Sequence, residues 1–104
     1  MFIKYLRDTN SRHPYGCVVG IDQDHIGYSL CAPCDRFEKV RARKIAGGRA
    51  SVENYLPIVA RKLKQLTGEM SFPEAMIVAE RRFPRLYAVA NTLAEAHEYL
   101  RTAE

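Results

Sequence analysis

Two short alternating runs, Cys17–Asp22 and His25–Cys31, are separated only by Gln23 and Asp24. That spacing dictates a tight hairpin. Pairing Asp22 with His25 puts Cys17, Val19, Ile21, Ile26, Tyr28 and Leu30 on one face. Val18, Gly20, Asp22, His25, Gly27 and Ser29 fall on the other. One face is then apolar and the other polar or small, whereas a slip of one residue mixes them. The first register is therefore expected. An isolated hairpin is marginally stable. Met1–Leu6, rich in aromatic and β-branched residues, supplies a third strand and completes an antiparallel meander. The polar stretch from Asp8 to Pro14 reads as the connecting loop.

Helical patterns follow. Asp35 and Glu38 have the spacing of a capping box that opens a first helix, and Gly47-Gly48 is expected to stop it. Phe37, Val40 and Ile45 fall on its apolar side. Leu56, Val59, Ala60, Leu63 and Leu66 form the stripe of a second helix beginning near Asn54, with Pro57 in its first turn and Gly68 as its stop. Ser71 to Glu74 resembles another cap, opening a third helix that Pro84 terminates. A last helix from Arg85 carries Leu86, Val89, Ala90, Leu93, His97 and Leu100 on one face. The expected fold is α+β: one domain over residues 1–104, with a β-meander in 1–31 and a helical part in 35–103. Three to four helices pack on one sheet face. The expected core is the apolar hairpin face plus Phe37, Val40, Leu56, Val59, Leu63, Met76, Leu86 and Leu93.

At 104 residues, one apolar core is feasible without a disulfide or metal. No uncharged stretch is long enough to span a bilayer, and the strand-like N-terminus does not read as a signal peptide. Three cysteines do not make a secreted disulfide scaffold. A cytoplasmic location without membrane association is expected. His13, Cys17, Cys31 and Cys34 are the residue types of a Cys3His zinc site, and Cys31-Ala32-Pro33-Cys34 has the spacing of half of one. The hairpin register opposes this by separating Cys17 from Cys31, so no metal and no cofactor is expected. Asp22, Asp24 and His25 match turn chemistry as well as acid–base chemistry. No Gly-x-Gly-x-x-Gly or Walker loop is present, and Gly47-Gly48 reads as a helix stop before a phosphate nest. No enzyme is expected, because a catalytic site needs several convergent groups.

Charge provides the strongest functional signal. The formal net charge is +4, and Arg36–Arg49 holds six basic residues against the single acid Glu38. Arg36, Lys39 and Arg43 fall within about 60° of one another around a helix. With Lys44 and Arg49 they form the candidate binding set, helped by Lys62, Lys64, Arg81 and Arg82. Such a face suits nucleic-acid phosphates, and it suits an acidic protein groove equally well. One contiguous basic stripe with an exposed aromatic favours nucleic acid. Scattered charge beside an exposed apolar patch favours a protein partner or a homodimer.

Four short segments carry a resemblance: Tyr15-Gly16-Cys17-Val18-Val19, Ile26-Gly27-Tyr28-Ser29-Leu30-Cys31, Asp35-x-Phe37-x-Lys39, and Ile45-Ala46-x-Gly48-Arg49-Ala50. Together they resemble a family of small accessory proteins of temperate phages and prophages, over roughly the first half of the chain. The position of Cys34 is commonly lysine in that pattern, a departure that counts against a family zinc site. The resemblance carries no activity over to particular residues; it implies a phage or prophage origin, action in the bacterial host cytosol and a binding role. Nucleic-acid association through the basic helix is the leading expectation. The alternative is a protein–protein inhibitor or adaptor acting on a host or phage enzyme, of the anti-defence type.

Overall fold

In a computed structural model, residues 1–8, 13–31 and 36–103 are described. The order is β1 (Phe2–Arg7), β2 (Pro14–Asp22), β3 (His25–Leu30), α1 (Lys39–Ala50), α2 (Leu56–Leu66), α3 (Phe72–Arg82) and α4 (Pro84–Thr102). The strands form the expected antiparallel meander in the order β1-β2-β3. Four helices follow, as expected of an α+β chain.

The register differs from the expected one. Asp22 pairs with His25, but Gly20 pairs with Ile26, Val19 with Gly27 and Val18 with Tyr28, leaving Ile21 as an extra residue in β2. This β-bulge shifts the pairing by one residue and exchanges the faces. Val18 now shares a side with Ile26, and Cys17 and Val19 share the other with Gly27 and Ser29. The physical reason is that the β2–β3 hairpin is covered on both sides, so it has no polar face to segregate. A second bulge leaves Tyr15 unmatched between the Leu6–Gly16 and Arg7–Pro14 pairs. Tyr15 joins the core on the α4 side, beneath the Arg85 guanidinium at 4.5 Å. Burial is the main influence raising the Tyr15 phenol above its ordinary value.

The helices do not all pack on one face. One core joins Leu6, Val18 and Ile26 to Val59 and Leu63 of α2, Ala79 of α3, and Val89, Leu93 and Leu100 of α4. A separate core joins Cys17 and Val19 to Ala42, Ala46 and Ala50 of α1. Its three alanines, four residues apart, form a smooth stripe that allows close approach to the sheet. Gly27 completes the fit: a Cβ there would lie 2.4 Å from the Ala50 amide nitrogen and 2.6 Å from the Ala46 carbonyl oxygen. Ser29 is buried beside it, and its hydroxyl donates to the Ala42 carbonyl at 2.8 Å.

This fit also explains where α1 ends. The helix runs through Gly47 and Gly48 to Ala50 instead of stopping at the glycines. Glycine in a helix interior costs about 1 kcal/mol relative to alanine. Docking of Ala46 and Ala50 on the sheet, and a 2.9 Å bond from the Arg49 guanidinium to the Tyr28 carbonyl, offset that cost. The first described helical residue is Lys39, with Glu38 preceding it and making no side-chain cap; Asp35, the expected cap, lies outside the described residues. Val40 is 72% exposed, and Ile21 and Leu30 are 43% and 45% exposed, so these three expected core residues lie at the surface.

The later helices follow the sequence pattern closely. The Asn54 side-chain oxygen accepts from the Leu56 amide at 3.0 Å at the start of α2, with Pro57 in the first turn. Gly68, at φ +89°, ends it, and the Glu69 amide bonds back to the Lys64 carbonyl at 2.6 Å, the pairing of a Schellman stop. Ser71 precedes α3 but makes no side-chain cap, and α4 begins at Pro84.

Candidate functional site

A helix is about 10 Å across, and neighbouring strands are about 4.8 Å apart, so one helix covers about two strands. Consistent with this, α1 packs mainly on β2 and β3. The Tyr5 end of β1 is sheltered by the Phe37 ring, edge-on at 6.2 Å, and by the Lys39 ammonium, 5.3 Å from the Tyr5 ring centre. The opposite end of β1 is not sheltered. There Met1, Ile3, Val19 and Ile21 form the floor of a groove of about 580 Å3, with Val40, Arg43, Lys44 and Gly47 along its wall. Met1 is 77% and Ile3 41% exposed. With Val40 and Ile21 they gather four large apolar side chains in one place. Solvated surface does not ordinarily collect such a patch.

The expected basic set is divided by this arrangement. Arg43 and Lys44 line the groove. Lys39 is engaged over Tyr5, and Arg49 is tied to the β3 backbone. Arg36 and Arg41 line a second groove of about 510 Å3 on the other flank of α1, with Ser29, Leu30, Cys31, Phe37 and Ile45. Lys62 and Lys64 belong to α2, and Arg81 and Arg82 to the end of α3. The sequence pattern put Val40, Ile21 and Leu30 in the core, where the structure exposes them, and it singled out neither the alanine stripe nor the apolar groove. A usable signal was present in Gly27, since glycine inside a strand often marks close backbone approach.

The metal and acid–base candidates are less organised. Cys17 is fully buried beneath α1, with its sulfur 3.9 Å from the Val18 carbonyl. Burial pushes its thiol up to about 11, against a smaller opposing influence from Arg43. A thiol held protonated is a weak ligand and nucleophile. Cys31 lies opposite Tyr15 and lines the α1-side groove with Ser29, so the register does not separate it from Cys17 by face. His13 is exposed, and Cys34 lies outside the described residues. Among the described residues, no three His, Cys, Asp or Glu side chains are grouped to hold a metal ion. At the hairpin tip the Asp22 carboxylate is 2.8 Å from His25 Nδ1 and accepts from the Asp24 amide at 2.9 Å. The histidine contact, then the amide, hold the Asp22 carboxyl below its ordinary range. Both side chains are over 40% exposed, which matches a turn lock.

No family model, no curated protein and no solved structure matches this chain. No helix among the described residues is long and apolar enough to cross a membrane.

Proposed function

We propose that this chain is a non-enzymatic binding protein that engages an acidic protein partner in the groove between α1 and β1. The observation carrying the reading is the convergence of exposed Met1, Ile3, Ile21 and Val40 beside Arg43 and Lys44. Apolar contact supplies most of the driving force in such an interface, and the flanking cations select an acidic partner and orient it. The resemblance to phage accessory proteins supports placing that partner among host or phage enzymes in the bacterial cytosol, with this chain as inhibitor or adaptor.

A nucleic-acid reading is second. It is supported by the exposure of Arg36, just before α1, and of Lys39 and Arg43 on the helix. It asks for salt-sensitive binding with little base preference. Affinity capture from bacterial lysate separates the two readings when wild type is run beside Val40→Glu and Arg36→Glu/Lys39→Glu/Arg43→Glu. The protein reading expects capture that survives nuclease digestion and is lost in Val40→Glu. Capture abolished by nuclease and by the triple variant, but retained by Val40→Glu, would put nucleic acid first.

A further inference from the structure

We infer that the occupant of the α1–β1 groove is a short amphipathic helix of the partner, about two turns long, carrying acidic residues on the flank beside Arg43 and Lys44. This rests on the protein-binding reading above and specifies its chemistry. The dimensions make the first argument. From Val40 to Gly47 the wall runs about 10 Å along α1, at about 1.5 Å per residue. The strand residues beneath leave a width equal to the part of a three-strand sheet that one helix cannot cover. With α1 packed on β2 and β3, a second helix at the usual 8–10 Å interaxial distance would lie over β1 on the same sheet face.

The wall makes the second argument. Apart from its chain neighbours and its own helix backbone, Gly47 has no heavy atom within 4 Å of where its Cβ would be. A glycine facing open space lets a neighbouring helix approach to the short end of the usual 8–10 Å interaxial range. Val40 and Gly47 are seven residues apart on α1, so a helix lying along them meets both. An extended segment does not account for this wall. A strand added to the free edge of β1 would lie about 4.8 Å beyond it in the plane of the sheet, away from Val40 and Gly47. Charge makes the third argument. Arg43 and Lys44 on the groove, with a net charge of +4 on the chain, oppose a second copy docking by the same face and favour a partner with acids at that position.

The test is a selection against the whole chain from two peptide libraries on one carrier. One library has apolar positions at i, i+3, i+4 and i+7, and the other has strictly alternating apolar positions. Enriched peptides are then titrated against wild type, Val40→Glu and Gly47→Leu. The expected result is enrichment from the helical library, with acidic flanks, and at least a tenfold loss of affinity in both variants. Peptides from the alternating library that are lost in Val40→Glu but unaffected by Gly47→Leu would overturn the helix and leave the groove reading standing. Enriched peptides indifferent to Val40→Glu, or no enrichment from either library, would overturn both. Self-association in sedimentation that Val40→Glu abolishes would assign the face to a second copy and overturn the inference. Circular dichroism of both variants verifies that a lost signal is not lost folding.

Discussion

The two faces of the sheet solve the same covering problem with different materials. Against α2, α3 and α4 the sheet presents Val18 and Ile26, which meet Val59, Leu63, Val89 and Leu93 in a continuous large-residue core. Against α1 it presents Gly27, Ser29, Cys17 and Val19, met by three alanines. The first face gains stability from apolar area, at about 1.5–3 kcal/mol for each large side chain fully buried. The second gains closeness, with a helix almost on the strand backbone, but buries less and leaves part of β1 bare. One face is closed and carries stability, and the other is partly open and leaves an apolar groove beside α1.

The largest expected effect breaks the closed face. Leu63→Ala or Leu93→Ala, each fully buried, should cost about 2–5 kcal/mol by leaving a cavity. Urea denaturation should show a lower midpoint with an unchanged slope. The same truncation at Val40, on the open side, should change stability by less than about 0.5 kcal/mol. Equal losses at the two places would remove the distinction between the faces.

Gly27→Ala attacks the close approach of α1 with one methyl group. The obstructing atoms are the backbone of Ala46 and Ala50, which cannot swing aside as a side chain can. A cost of about 1–3 kcal/mol is expected. Hydrogen exchange should show protection falling in residues 39–50 more than in 84–102. A uniform loss across both helices would contradict separate attachment of α1.

Gly47→Ala should act in the other direction. Its Cβ meets open space, and the position is helical, so the substitution should stabilise by about 0.5–1 kcal/mol, read as a raised thermal midpoint. A destabilising result would mean that the groove wall is already occupied. The smallest effect concerns acid. The Asp22 carboxyl is held below its ordinary range by His25 and the Asp24 amide, so its contribution is present above the unfolded carboxylate range, near pH 4. It is lost as pH falls through the lower folded value. Asp22→Asn should therefore flatten the fall in thermal midpoint between about pH 5 and pH 2. A curve unchanged by the substitution would show that the pair contributes nothing.

The closed face was the more legible in the sequence. Val59, Leu63, Val89 and Leu93 are large residues at helical spacing, and Pro57, Gly68 and Pro84 mark helix boundaries by simple backbone chemistry. The open face was misread for two reasons. Alternation along β2 looks continuous, and nothing in the one-dimensional pattern marks Ile21 as a bulge, because both resulting faces are apolar enough to be covered. In α1 the buried stripe is alanine, while Val40 is larger and lies in solvent. A reading weighted by side-chain size rotates that helix the wrong way. The basic residues were identified by type, but their division between the Tyr5 ring, the Tyr28 carbonyl and two grooves depends on that rotation.

The central asymmetry can be measured directly by methyl NMR of the monomer in the presence of a soluble paramagnetic probe. Strong broadening is expected for Ile3, Ile21 and Val40, and almost none for Val18, Ile26 and Leu63. Methyl groups of Ile3 and Val40 as protected as those of Ile26 would contradict the open face and the binding role proposed from it.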